Sequence, residues 1–230
     1  ARKLQGKEGI VIDRSQGYIG VLIDDLVTKE SREPYRMMTS RAEYRLLLRQ
    51  DNADQRLTKL GYEIGLISEE RYEKLLEKER LIEEEIHRVE RVNIGTSEEV
   101  QNLLKTYEST PLTSGTTLAE LIRRPELSYE KLAPIDKNRK NLPEDVAQQV
   151  DINIKYDGYI KRQMRQVEQF KKLENKKIPE DINYDEIKSL RIEAKQKLNQ
   201  IRPASIGQAS RISGVSPADV SVLLVYLGSR

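Results

Sequence analysis

The sequence predicts an all-α protein, a multi-helix bundle with long helices, preceded by a short irregular or β segment at the N-terminus. Two observations carry this. From Ser40 onward, apolar residues recur at three- and four-residue steps, the period of a helix with one buried face. Aromatic residues make up only 5%, with no Trp and one Phe (Phe170), so the core must come from Leu, Ile and Val. Charged residues are 34% of the chain and hydrophobic ones 37%, a balance that suits long amphipathic helices better than a sandwich or barrel. A length of 230 residues allows one large or two modest domains.

Strand character is confined to Gly9–Val27, where Ile10–Ile12 and Tyr18–Ile23 are β-branched runs broken by Gly17 and Gly20. Two such strands make no stable sheet alone, so residues 1–33 read as the trailing edge of another domain. The chain opens at Ala1 without Met and reads as a fragment of something longer.

The stretch Glu33–Leu57 is the densest in chemistry, with Arg36, Arg41, Arg45, Arg49 and Arg56 interleaved with Tyr35, Tyr44 and Leu46–Leu48. Arg41, Arg45 and Arg49 recur every fourth residue, which on a helix capped by Thr39 or Ser40 forms one stripe. Guanidinium forks match phosphate and stack on bases, so the stripe suits a nucleic-acid backbone or an anionic cofactor. It equally suits a solvated face paired with Glu43, Asp51 and Asp54.

Helices follow over Ala53–Ile64 and, behind Ser68, over Glu69–Arg91. The second packs through Tyr72, Leu75, Ile82, Ile86 and Val89, and its acids, Glu85 among them, read as a solvated outer face. Short helices and turns fill 92–142, with Ser97, Thr116 or Thr117 and Ser128 as caps. Pro143 opens the longest helix, Glu144–Glu174, lined on one side by Ile152, Tyr156, Tyr159, Ile160, Met164, Val167 and Phe170. Helices over Tyr184–Ile201, Ser205–Ile212 and Pro217–Leu227 complete the chain. The expected organisation is thus 1–33, a helical subdomain 34–142 containing the long helix at about 69–91, and a C-terminal subdomain 143–230.

A second basic element, Lys155–Lys177, carries a local charge of +5 and includes Lys161, Arg162 and Arg165 beside Tyr156 and Tyr159. It reads either as a polyanion-binding face or as a soluble helix end. The close of the chain, Ser205–Leu227, has the outline of a helix-turn-helix. Its second helix offers Asp219, Ser221 and Tyr226 amid Val and Leu, a poor reader of base edges and a better core or docking helix. With no Cys, thiolate zinc sites, disulfides and thiol nucleophiles are excluded, and the lone His87 has no partner with which to share a metal. No signal peptide or membrane-length apolar run is visible, and the expected location is cytoplasmic.

At Gly17–Leu57 and Arg202–Leu227 the sequence resembles the GidA/MnmG family, large flavoproteins that modify tRNA. The resemblance is collinear from about Gln5 to the end; Met38 stands where the family commonly has Phe. It implies an FAD-binding parent, making residues 1–33 the tail of the FAD-binding domain. The parent would use FAD and NADH, form a homodimer, and build a carboxymethylaminomethyl group on wobble uridine with an MnmE-type GTPase and a folate-derived methylene. This chain has neither the family's glycine-rich dinucleotide turn nor its cysteines, so no cofactor and no catalysis are expected of it alone. The resemblance assigns tRNA contact to Arg36, Arg41, Arg45 and Arg49, to which the second basic element adds Lys161, Arg162 and Arg165. Partner contact falls on Gly207, Gln208, Arg211, Ser213, Gly214 and Ser216. A DNA-binding regulator and a purely structural scaffold are the alternatives.

Overall fold

The computed structural model describes residues 2–29 and 33–228. Among them lie helices α1 (Tyr18–Thr28), α2 (Ala53–Glu63), α3 (Glu69–Arg91), α4 (Glu98–Thr106), α5 (Leu118–Ile122), α6 (Glu144–Asn175), α7 (Ile192–Ile201), α8 (Ile206–Ser210) and α9 (Pro217–Gly228). Strands β1 (Asn93–Ile94) and β2 (Thr116–Thr117) pair antiparallel, Asn93 opposite Thr117. The all-α expectation holds, and this small ribbon is an addition to it.

The chain divides into two compact units, one of residues 1–48 with 162–230, the other of 49–161. These bounds differ from the expected 34–142 and 143–230, because α6 contributes its first half to one unit and its second half to the other.

Within 49–161, α3, α4, α5 and the start of α6 enclose a core that includes Val89, Leu104, Leu121, Ile122, Leu127 and Val150. Burying a side chain of this size stabilises the fold by about 1.5–3 kcal/mol relative to leaving it exposed. Glu85, expected on the wet face of α3, is instead fully buried. It accepts hydrogen bonds from Arg88 (2.6 Å) and from the Tyr129 hydroxyl (2.7 Å). Arg88 also reaches Asp136 at 2.9 Å. The apolar stripe expected along α6 is not its buried face. Val146, Ala147, Val150 and Ile154 are buried, whereas Tyr156, Tyr159 and Met164 stand about half exposed.

In the other unit, Ile178, Ile182, Tyr184, Leu198, Ile206, Ile212, Val220 and Leu223 form the main core. One side of α9 packs here beside Ile201, Ile206 and Ile212, while Val225 on the other side is 73% exposed. The single helix expected over Tyr184–Ile201 is a short turn at Tyr184–Glu186 followed by α7. Ser216 and Asp219 form a reciprocal cap on α9: the Asp219 amide donates to Ser216 Oγ (3.3 Å) and the Ser216 amide to Asp219 Oδ2 (2.8 Å). Arg191 donates to the same carboxylate at 2.7 Å. Its hydrogen bonds, outweighing burial, hold Asp219 far below the usual carboxylate range.

Two N-terminal expectations fail. Tyr18–Thr28 is helix rather than strand, and Ile10–Ile12 has no strand partner among the described residues. Gly20, Val21, Asp25 and Thr28 bury one helical face while β-branched Ile19 and Ile23 point outward, so packing overrides strand propensity. The arginine helix also does not form. Thr39–Arg41 is a single 3-10 turn without a side-chain cap, and Ala42 is extended. The Arg41 carbonyl, which a continuing helix would need, accepts Arg14 Nη2 at 3.4 Å.

Candidate nucleic-acid interface

The unit formed by 1–48 and 162–230 is organised around a buried guanidinium. Asp13 accepts the Ser15 amide (2.7 Å) and hydroxyl (2.5 Å), a tight Asx-type turn that sends Arg14 inward. Arg14 is 2% exposed and donates to the Val21 carbonyl (3.2 Å), Asp24 (3.0 Å), Asp25 (2.6 Å) and Glu43 (2.7 Å). Arg211 shares Asp24 at 2.7 Å and reaches Glu174 at 2.5 Å. Asp24 is therefore bridged by two arginines. Burial alone would raise the Asp25 pKa, but hydrogen bonds from Lys29, Tyr35 and Arg14 outweigh it and hold the carboxyl below its usual range.

This network fixes the basic turn. Arg14 holds Glu43 and the Arg41 carbonyl, and Gln163 of α6 donates to the Glu43 carbonyl at 3.1 Å. Tyr44 packs on Phe170 of α6 with ring centroids 5.9 Å apart. The two basic segments, read separately in the sequence, thus meet. Gln163, Val167, Phe170 and Glu174 form the half-buried face of this part of α6, leaving Arg162, Arg165 and Lys172 exposed.

The expected RNA-contact residues fare differently. Arg36, Arg45 and Arg162 are exposed and have no side-chain partner among the described residues. Arg41 sits over the Tyr35 ring, 4.4 Å from its centroid. Arg49 is three-quarters or more buried and donates from Nε to both Asp51 oxygens at 3.1 Å, so no stripe joins it to Arg41 and Arg45. Lys161 pairs with Asp157 one turn earlier (2.9 Å), and Arg165 is exposed.

Of the expected partner-contact residues, Ser213 is the one fully at the surface. Gly207 is buried where a Cβ would come within 2.6 Å of Glu174 Cδ, so its role is close packing. Gln208 caps the Ala204 amide (2.7 Å), Arg211 is tied into the ion network, and Ser216 caps α9. Gly214 turns the chain at φ +97° and its carbonyl accepts Arg191 at 2.9 Å.

The description "tRNA modifying enzyme MnmG/GidA C-terminal helical domain" matches residues 69–164, and "tRNA modifying enzyme MnmG/GidA C-terminal helical bundle" matches 166–230. The chain belongs to the MnmG/GidA family. Among its relatives, the tRNA uridine 5-carboxymethylaminomethyl modification enzyme MnmG of Lachnoclostridium phytofermentans is 74% identical over 99% of this chain and 36% of its own length. The enzyme of the same name from Caldicellulosiruptor saccharolyticus is 64% identical over the same shares. Aquifex aeolicus GidA, in its form II crystal, superposes with a TM-score of 0.81 at 40% identity, covering 98% of this chain and 35% of that one. The chain spans about a third of the length of these MnmG relatives. Nothing in these likenesses supports the DNA-regulator alternative. No helix among the described residues is long and apolar enough to cross a membrane.

Proposed function

We propose that this chain is the docking part of a flavin- and nicotinamide-dependent enzyme that modifies a tRNA uridine, its chemistry carried by the rest of the polypeptide. It receives tRNA on the surface carrying Arg36, Arg41, Arg45 and Arg162, with Arg165 of α6 adding positive charge, and a partner GTPase on α7–α9. One observation carries the tRNA reading: two basic segments distant in sequence pack together, through Gln163 on Glu43 and Tyr44 on Phe170, with three guanidiniums left outward that have no partner among the described residues. Internal ion pairing, the bland account of these charges, accounts for Arg49 and Arg211 but not for Arg36, Arg45 and Arg162.

Residues 1–33 would belong with the flavin-binding domain. In support, Ile19, Ile23 and Val27 of α1 are 45–57% exposed and line a cleft of about 630 Å³ that the described residues leave open. These residues do not themselves fit a dinucleotide. At Gly17–Gly20, the nearest thing to a phosphate-cradling turn, the space beside Gly20 is filled by the chain's own backbone, with Ile12 O 2.5 Å from a Cβ position.

Replacing Arg36, Arg45 and Arg162 with Ala in the full-length protein should weaken tRNA binding and flatten its dependence on salt. The slope of log K against log salt should fall by about 2 to 3, close to one for each lost phosphate contact. Unchanged affinity and slope would return these arginines to a merely wet surface. For the GTPase, α9 leaves Val225 exposed over a groove of about 440 Å³ lined by Ile187, Val222 and Tyr226. Val225→Asp, on a side chain outside the core, should abolish pull-down of the GTPase while thermal stability changes little. Retained capture would move the docking surface elsewhere.

A further inference from the structure

Arg41 differs from its exposed neighbours in being already stacked. Its guanidinium carbon lies over the Tyr35 ring at 4.4 Å. That ring is anchored from below, because the Tyr35 hydroxyl donates to Asp25 Oδ2 at 2.8 Å and Asp25, 1% exposed, is itself gripped by Arg14 and Lys29. The backbone is anchored as well: the Arg41 amide donates to the Met38 carbonyl (3.0 Å) and its own carbonyl accepts Arg14. Arg41 Nη1 also lies 4.0 Å from Asp25 Oδ2, an ion pair longer than a hydrogen bond that helps to steer the side chain. It remains 39% exposed, and Met37 and Met38 nearby are about half exposed.

A guanidinium serving phosphate presents its edge, where the donors fork. One seated on an aromatic ring presents its outer face, and that face stacks on nucleobases. Holding the side chain down beforehand also removes much of the rotamer freedom that a long, mobile arginine would lose on binding. We propose that Arg41, backed by Tyr35, is a stacking platform for an unpaired base of the bound RNA, with Met37 and Met38 as soft apolar flanks. Arg36 and Arg45, with no ring beneath them, take phosphates. The inference rests on the tRNA-docking reading and deepens it, since it makes this surface selective for RNA with a splayed-out base over plain duplex.

The test uses the full-length protein and two probes, a hairpin RNA with 2-aminopurine in its unpaired loop and a blunt RNA duplex of equal phosphate count. Arg41→Lys keeps the charge and removes the flat face. It should bind the hairpin about tenfold more weakly and lose the 2-aminopurine quenching, with duplex affinity and both salt slopes unchanged. Tyr35→Leu should do the same. If Arg41→Lys matches the wild type on the hairpin, or weakens both RNAs equally, the platform is refuted. Arg45→Ala, run alongside, separates the two readings because it should lower the salt slope on both probes. A silent Arg41→Lys beside an effective Arg45→Ala removes only the platform, whereas silence in both removes the docking surface with it.

Discussion

Arg14→Met should cost about 3 kcal/mol of stability in the full-length protein, measured by urea unfolding of the transition that reports on this unit. The side chain is 2% exposed and compensates two carboxylates that are themselves largely out of water, Asp24 and Asp25, as well as the half-exposed Glu43. Removing one partner of a buried pair strands the other, a loss of about 3–5 kcal/mol. The lower end applies because Asp25 keeps Lys29 at 2.8 Å and Asp24 keeps Arg211 at 2.7 Å. Arg14→Lys should recover only part of the loss. An ammonium cannot serve three carboxylates and two carbonyls that a planar fork reaches together.

The deficit should also depend on pH, with a definite sign. The Asp25 pKa is depressed in the folded wild type, so its ion pairs add stability that is complete above the unfolded value near 3.8 and fades as pH falls through the folded one. Without Arg14 the same carboxyl is buried with less compensation, and protonation relieves it. The gap between wild type and Arg14→Met should therefore be widest near neutral pH and shrink below about pH 4. A loss under about 1 kcal/mol, or a gap that widens in acid, would mean the network is not what holds the basic turn.

The long helices were legible because a single local rule governs them. The apolar spacing of Glu69–Arg91 and the Pro143 start of α6 needed no knowledge of distant residues, and both helices lie within a residue of where periodicity puts them. Element type failed where partners far along the chain decided it. α1 has a buried face that includes Asp25 and Thr28, two polar residues that no hydropathy pattern would place inside. Asp25 is buried only because Arg14 and Lys29 meet it, and Arg14 carries no signal of its own in the sequence. Arg211 bonds Asp24 across 187 positions, which turned a residue expected to face a partner into an internal strut. For the arginine segment, residue chemistry was readable but assignment was not. Whether a guanidinium is outward, stacked or paired depended on Tyr35, Asp25 and Asp51 lying within reach.

Two helical glycines sharpen the same distinction between local propensity and tertiary packing, and they should respond to alanine with opposite signs. In isolation Gly→Ala within a helix gains about 0.5–1 kcal/mol, since alanine loses less backbone freedom on folding. At Gly158 of α6 nothing lies within 4 Å of the new methyl group, so Gly158→Ala should realise that gain. At Gly20 of α1 the methyl would sit 2.5 Å from the Ile12 carbonyl oxygen and closer still to that of Asp13. Both obstacles are backbone, so no side-chain rotation relieves them. The loop must move away from the helix, and that loop is the turn that aims Arg14 at Asp24, Asp25 and Glu43. Gly20→Ala should therefore lose about 3 kcal/mol or more, at or beyond the upper end for an overpacked site, because displacing Arg14 adds its own penalty to the clash. Combined with Arg14→Met it should cost clearly less than the sum of the two, as both changes break one network. Additive losses would show that the glycine merely makes room, and that the loop carrying Arg14 keeps its place by other means.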